Sequence, residues 1–326
     1  MKLYLDSQIF SNLSSFENLP KEEDVKVYRN LNNLISSLRD QIIIPYSNTH
    51  LDDLMKSYKQ GQNERVSKSL AFISSLTQNV CLVQYWNEEH ATWHYRDPFE
   101  FFNSKIEDET TGASLDNIHD KFKEYGIDKA FEPLKSIPHG FDFKQMQDHA
   151  PAFASMFPRA QNEGTAYAAV MDILDLTTQL QTNPSAYLEL RNWLRTSMNL
   201  DPNISNFGNV IKQLDEYLPK TMLNKSFTEL YADTNKKDYL KNKNYSKITG
   251  IYMQLDMVGY RPDKMNDKNG YDNMLHDAFH CFYGAHCDYF ITADKICYKK
   301  SKAIYQSENI TTPVMKPQEF LEHLAK

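Results

Sequence analysis

Apolar and polar positions follow two different patterns along the chain. Near both ends, short apolar runs alternate with stretches in which apolar residues recur every three or four positions. The first pattern is typical of buried strands and the second of amphipathic helices. It predicts strands at 3–5, 41–47 and 79–86, a strand with its following turn at 288–294, and a last strand at 309–315. It predicts helices at 7–13, 25–40, 47–58, 63–76, 271–287, 295–306 and 316–325.

The middle of the chain has a different character. From 89 to 250 the strand signals nearly vanish, and helical stripes appear at 165–180 and 207–218. We therefore predict a mainly helical insertion at 89–250. Residues 1–88 and 251–326 are predicted to form one discontinuous domain, because strand–helix alternation at both ends favours a shared parallel sheet.

Composition favours a globular protein. Hydrophobic residues make up 41% and charged residues 24% of the 326 positions, and no run approaches the roughly 20 apolar residues of a membrane helix. No membrane partner is therefore expected. The start "MKLYLD" does not read as a signal peptide, because Asp6 interrupts the apolar run. Four cysteines in a chain of this length do not indicate a disulfide framework, so a cytoplasmic location is expected.

Charge restricts how the chain would meet a nucleic acid. A net charge of −7 argues against nonspecific binding through the whole surface. A local basic track remains compatible with it, and the best candidate is the segment 235–247. Its lysines are Lys236, Lys237, Lys241, Lys243 and Lys247. The alternative is a solvated helix face or loop.

Aspartates recur where the predicted strands end. Asp6 follows the first strand, Asp52 and Asp53 lie in the first turns of the helix after the second, and Asp294 follows the strand at 288–292. Carboxyl ends of parallel strands lie along one edge of a sheet, so we expect these side chains to converge. Asp277 lies in the middle of helix 271–287, which feeds that last strand, so capping does not explain it.

Each aspartate outside a helix interior also has a structural interpretation. Asp6 and Asp294 are suited to cap helices, and Asp52 and Asp53 favour a helix N-terminus. A cluster of carboxylates without a cation would repel itself and have raised pKa values. Mg²⁺ or Mn²⁺ would relieve that repulsion, because hard cations prefer oxygen ligands.

Four motifs in order carry a resemblance to a known family. "YLDSQIF", "IIIPYSNTHLDDL", "HDAFHCFYGAHCDYFITADKICYKKSKAIY" and "ITTPVMKPQEFLEHL" together resemble a PIN-like nuclease domain. The similarity covers about 1–88 and 255–326. It implies an α/β fold, with a PIN-like parallel sheet flanked by helices and assembled from both chain ends, plus the all-helical insertion.

The resemblance also implies a set of site residues. Asp6, Asp53, Asp277 and Asp294 match the acids that serve the family as catalytic groups and metal ligands. Asp53 is favoured over Asp52 because the family's second acid precedes a Leu. Auxiliary roles at the same site are assigned to Ser7, His50, Asp52, His280, Asp288 and Thr292. Caps for the hydroxyls and buried structural roles for the histidines are the alternatives.

Other chemistries find less support. The histidines and cysteines of "HDAFHCFYGAHC" include His276 and His280 at the i,i+4 spacing of zinc ligands, but no second paired-ligand unit accompanies them. Zinc is therefore disfavoured. No phosphate-binding P-loop, dinucleotide glycine motif or Gly-x-Ser-x-Gly elbow is present.

The expected activity follows from the resemblance. It implies a metal-dependent endoribonuclease, a class that includes toxins and defence effectors, with RNA as partner. One alternative is a catalytically weak module that binds RNA or protein, and another is a nuclease acting on DNA or a flap. The insertion would recognise substrate, restrain activity, or mediate self-association or binding of a regulatory protein.

Overall fold

The computed structural model of the protein describes residues 1–85, 88–110, 127–201, 203–206, 208–221, 224–231, 241–266 and 270–325. Within these ranges the chain is mixed α/β and mainly helical. Lys236 and Lys237 of the predicted basic track lie outside the described residues.

One sheet joins strands from the two ends of the chain. The described strands are β1 (Leu3–Leu5), β2 (Tyr46–Ser47), β3 (Val80–Val83), β4 (Thr92–Tyr95), β5 (Tyr289–Ile291) and β6 (Val314–Met315). Strands β1, β5 and β6 form a parallel sheet in that order, with Leu3 opposite Tyr289 and Phe290 opposite Val314. The prediction of a parallel sheet built from both ends is confirmed. Its three carboxyl ends share one side, called here the carboxyl edge.

The second sheet has the order β2-β3-β4. Strands β2 and β3 are parallel, whereas β4 runs antiparallel to β3. A parallel bridge between Lys2 and Ile43 links the two sheets: Leu3 N donates to Ile43 O at 2.9 Å, and Ile43 N donates to Met1 O at 2.8 Å. The segment before β2 therefore lies beside β1.

Strand β4 lies where we predicted few strand signals. All four of its residues are exposed, so its sequence shows no alternation between a buried and a solvated face. Hydrogen bonding to β3 forms this strand, and an edge strand of that kind leaves little hydrophobic signal in the sequence.

The predicted helices of both terminal regions are present. They are α1 (Ser7–Ser14), α2 (Glu22–Ser37), α3 (Asn48–Lys59), α4 (Asn63–Thr77), α14 (Tyr271–Gly284), α15 (Lys295–Ser307) and α16 (Pro317–Leu324). Between them lie α5 (Pro98–Thr110), α6 (Phe143–His149), α7 (Pro151–Ala154), α8 (Pro158–Glu163), α9 (Ala166–Thr182), α10 (Pro184–Ser197), α11 (Val210–Tyr217), α12 (Phe227–Tyr231) and α13 (Tyr245–Met257). Helices α9 and α11 match the two predicted stripes.

The core of the sheet region forms where helix α14 covers the strands. Leu5 of β1 and Phe290 of β5 are fully buried, as is Phe282 of α14. The α14 backbone approaches β5 so closely that a Cβ atom on Gly284 would lie 2.5 Å from Cγ of Phe290. This close packing fixes α14 against the strands that carry the predicted site.

The chain divides into two compact units. The first consists of Met1–Phe102, Asp201–Pro262 and Leu275–Lys326 and contains both sheets. The second consists of Asn103–Leu200 and Asp263–Met274. The first unit is therefore larger than the predicted domain, since it also contains 89–102 and 201–250.

The first unit includes residues 201–250 because α11 and α13 pack against α15. Lys300 of α15 and Asp256 of α13 form an ion pair of 2.9 Å in which both side chains are fully buried. Aromatic contacts add to this packing, since Tyr245 of α13 lies 5.1 Å from Phe282, measured between ring centroids.

Among the described residues, no helix combines the length and the apolar character needed to cross a membrane.

Candidate active site

Two of the predicted acids cap helices at the carboxyl edge. Asp6 directly follows β1, and its Oδ1 accepts a hydrogen bond of 2.8 Å from Ile9 N in α1. Asp294 follows β5, and its Oδ1 accepts hydrogen bonds of 2.7 Å from Ile296 N and Cys297 N in α15. The capping interpretation is confirmed for both. Each cap fixes the orientation of its carboxylate.

These two acids also interact electrostatically. Asp6 is only 5% exposed, and burial raises its pKa; the neighbouring charge of Asp294 raises it further. A hydrogen bond with Thr292 and the charge of His280 act in the opposite direction without outweighing burial. Thr292 also accepts a hydrogen bond of 3.1 Å from Asp294 N. The predicted residues Asp6, Thr292 and Asp294 therefore lie together.

Asp277 reaches the same region from α14. Its backbone oxygen accepts a hydrogen bond of 3.9 Å from the Cys297 thiol in α15. Burial raises the pKa of that thiol well above its usual range, and the charges of Asp277, Asp6 and Asp294 add to the effect. All three acids thus lie within electrostatic range of one buried sulfur.

Asp53 has different surroundings. Its Oδ1 pairs with His276 Nδ1, while its Oδ2 accepts a hydrogen bond from Ser7 Oγ and lies 3.4 Å from His280 Nε2. Burial alone would raise the pKa of Asp53, but the hydrogen bonds and charges of the two histidines hold it well below its usual range. Burial would lower the pKa of His276, yet the bond and charge of Asp53 raise it. Asp53 and His276 therefore form an ion pair.

His276 is the residue that sequence reasoning missed. Its signal was the i,i+4 spacing with His280, which we read only as a weak indication of zinc. In the structure both rings face the carboxylate of Asp53 instead. The two histidines lie 223 and 227 residues from Asp53 in the sequence, so nothing local indicated this use.

A series of buried polar side chains, linked by hydrogen bonds, continues inward from His280. Its Nε2 lies 3.0 Å from Ser7 Oγ, and its Nδ1 lies 2.8 Å from the hydroxyl of Tyr4. The Tyr4 hydroxyl is also 2.9 Å from Ser47 Oγ, which in turn lies 3.0 Å from His50 Nδ1. Ser7 donates its proton to Asp53, so it can accept one from His280 Nε2. In that arrangement Tyr4 donates to His280 Nδ1 and fixes the ring.

His50 is held as a neutral ring at the end of this series. Its Nδ1 accepts a hydrogen bond of 2.9 Å from Ser47 N, and its Nε2 lies 2.9 Å from Leu5 O, which can only accept. Burial and the charge of His280 lower the pKa of His50 to about 3. The structural alternative that we considered for His50 matches these contacts.

Of the remaining predicted residues, Asp288 lies apart from this network, whereas Asp52 lies beside it. Asp288 accepts a hydrogen bond of 2.8 Å from Lys2 N at the amino end of β5, which is the opposite edge of the sheet. Asp52 is half-buried on α3, and its charge acts on His276.

The described lysines of the predicted basic track do not meet the acids either. Lys247 pairs with Glu308 at the end of α15. Lys243 acts electrostatically on His286 and Cys287, just before β5 and therefore at its amino end. Lys241 is exposed at the start of the same described segment. We find no contact that joins these lysines to the carboxyl edge within the described part of the chain.

The donor chemistry of the site suits a hard divalent cation. Asp6, Asp277 and Asp294 are carboxylates, the ligand type that such cations prefer, and burial is the main cause of the raised pKa of Asp6. Asp53 suits this use less well, since both of its oxygens already have partners. Among the described residues, no three His, Cys, Asp or Glu side chains are arranged closely enough to hold an ion.

Comparisons with protein-family models, with curated proteins and with solved structures each returned no match.

Proposed function

We propose that the protein is a metal-dependent nuclease that hydrolyses phosphodiester bonds of RNA, with Mg²⁺ or Mn²⁺ bound through Asp6, Asp277 and Asp294 once their carboxylates close around the ion. One observation carries the proposal: Asp6 and Asp294 follow neighbouring parallel strands, and Asp294 contributes to the raised pKa of the buried Asp6. Such a pair is costly to keep in a fold unless a positive ligand offsets it. The family resemblance of the motifs supports the same function.

Bound between these acids, a divalent cation would lower the pKa of a water molecule and offset the charge of the scissile phosphate. The chain's own contribution is to fix the carboxylates. The amide donors of α1 and α15 each hold one oxygen, so the side chains of Asp6 and Asp294 are oriented before any ligand arrives.

We assign Asp53 to positioning rather than to metal binding. Its carboxylate holds His276, Ser7 and His280 at one side of Asp6. The Ser7 hydroxyl and the Nε2–H of His280, which bond to Asp53 and to Ser7 in this structure, would serve a phosphate oxygen only after exchanging those partners. In this assignment the ion pair of Asp53 and protonated His276 has no net charge to repel the substrate.

The test compares cleavage of labelled RNA and DNA in Mg²⁺, Mn²⁺ and EDTA. Asp6→Asn and Asp294→Asn should each reduce RNA cleavage about 100-fold or more, because losing about 3 kcal/mol of transition-state stabilisation has that effect. Asp288→Asn is the matched control, since its carboxylate lies at the opposite edge of the sheet. It should cleave at the wild-type rate.

A second measurement does not depend on activity. Mn²⁺ should raise the thermal unfolding midpoint of the wild type and of Asp288→Asn, but not that of Asp294→Asn, because a ligand stabilises only the state that binds it.

Three outcomes would redirect the proposal. Cleavage that persists in both site variants would identify a contaminating nuclease. RNA binding without cleavage under any metal would indicate a binding module, and preferential cleavage of DNA would indicate a DNA or flap nuclease.

A cytoplasmic location, a toxin or defence role, and a regulatory or self-association role for the insertion stay predictions.

A further inference from the structure

One face of α15 is basic from its first turn to its second. Lys295, Lys299 and Lys302 are spaced four and three residues apart, so they lie on the same side of the helix, and all three are exposed. At 1.5 Å per residue they are about 6 Å and 4.5 Å apart along the axis. The face begins next to Asp294, the N-cap of α15, at the carboxyl edge.

Three lysine ammonium groups lie near the aromatic ring of Tyr298. The ammonium groups of Lys299, Lys302 and Lys316 lie 5.8, 4.6 and 5.4 Å from the centre of its ring. Lys302 also donates a hydrogen bond of 2.7 Å to the Tyr298 hydroxyl, which donates one of 2.9 Å to Glu319. Lys316 directly follows β6, so it too lies at the carboxyl edge. None of the three forms an ion pair within the described ranges.

A cavity of about 630 Å³ adjoins the same face. Its described lining contains three cationic residues, Arg261, Lys299 and Lys302, and no Asp or Glu. Ser205 and Thr311 add hydroxyl groups. In a chain with a net charge of −7, this is a local concentration of positive charge that favours an anionic ligand.

Arg261 gives an independent indication of a ligand. Its φ of 47° lies in the left-handed region that side chains other than glycine rarely adopt, and such conformations concentrate at functional sites. Its backbone N donates to Ser205 Oγ at 3.1 Å. Its Nε is buried, and no described residue accepts a hydrogen bond from it. A side-chain hydrogen bond joins the guanidinium to Tyr260, but the buried Nε–H still needs an acceptor, which an anion in the cavity would supply.

We propose that Lys299, Lys302, Lys316 and Arg261 form a track that binds the phosphates of a single-stranded nucleic acid and leads from the carboxyl edge into the cavity. A phosphodiester backbone offers successive single charges, and Lys299 and Lys302 lie on one helix face beside the cavity to meet them. The inference rests on the proposed nuclease function, for which this strand would be the substrate. It replaces the predicted track at 235–247, whose Lys247 is paired with Glu308.

The test measures binding of a fluorescent single-stranded RNA to the full chain in EDTA, so that cleavage does not interfere. The variant Lys299→Gln/Lys302→Gln removes two charges from the track. Lys21→Gln/Lys26→Gln is the matched control, because both lysines are exposed and lie at the start of α2.

Loss of two phosphate contacts should lower the slope of log affinity against log salt by about 1.4, since each contact on a single strand contributes about 0.7. RNAs of different sequence should be weakened by the same factor. The control should keep the wild-type slope. If both double variants keep the wild-type slope, the proposed track is wrong.

Activity assays separate this inference from the function on which it rests. In an active enzyme the track variant should raise KM and leave kcat unchanged. If the wild type cleaves nothing but its salt slope falls in the track variant, the nuclease proposal fails and the track stands. If the wild type cleaves and the track variant has wild-type KM and slope, the track fails alone. Binding of a free nucleotide with the affinity of the RNA would also overturn the track, because one phosphate would then suffice.

Discussion

His50 makes the stability of the protein sensitive to mild acid. Both ring nitrogens are engaged with the backbone, through Ser47 N and Leu5 O, and the ring is 2% exposed. A proton added at Nδ1 would set two donors against each other, at Nδ1 and at Ser47 N. The folded state therefore resists protonation of a ring that titrates freely once the chain unfolds.

The size of the effect follows from the two pKa values. The pKa is about 3 in the folded state and about 6.5 in an unfolded chain. Because the folded value is the lower one, the unfolded chain binds the proton first, and stability falls as the pH drops below about 6.5. Between pH 7.5 and pH 5 the free energy of unfolding should decrease by about 2 kcal/mol on account of His50 alone.

Urea unfolding at both pH values, followed by tryptophan fluorescence, measures this loss. His286, whose pKa is lowered to about 4 by burial, acts in the same direction, so the comparison must be between variants. His50→Gln should show a loss about 2 kcal/mol smaller than that of the wild type. His94→Gln, at an exposed histidine, should match the wild type. Equal losses in all three proteins would refute the reasoning.

Two further substitutions test the packing of the first unit by the same urea assay. Asp256→Ala removes the carboxylate that pairs with the buried ammonium of Lys300 and should cost about 3–5 kcal/mol. Asp256→Leu with Lys300→Met removes both charges and should cost far less, so equal costs would contradict this reasoning. Gly284→Ala forces a methyl group against Phe290 and should cost about 1–3 kcal/mol. Gly208→Ala, where the added atom meets nothing within 4 Å, should stay within about 0.5 kcal/mol, and a similar loss at both glycines would argue against steric exclusion.

The local elements could be read from the sequence because their signals are local. Strand β1 and helix α1 follow from an apolar run and a capping Asp6, and α14 follows from apolar residues at helical spacing. The parallel sheet could be inferred as well, since strand–helix alternation at both chain ends leaves few other arrangements. Those inferences placed Asp6 and Asp294 at one edge of the sheet.

The interaction partners of the site residues could not be predicted from the sequence. Asp53 was expected beside a metal ion, but it faces His276 and His280 of a helix more than 220 residues away in the sequence. Strand β4 was missed because pairing with β3, not its own pattern, makes it a strand. Helix α13 is joined to α15 through a buried ion pair that the hydrophobic periodicity of the sequence does not indicate.

What the sequence determined by itself was therefore the set of elements and the acids that end them, because hydrogen bonding and hydrophobic periodicity act over a few residues. The tertiary structure decided which groups compensate those acids and where positive charge collects. Packing between distant helices places Lys299 and Lys302 beside the cavity, and it pairs Lys247 with Glu308. Electrostatic partners depend on distances of a few ångströms in space, and such distances between remote segments are set only when the chain folds.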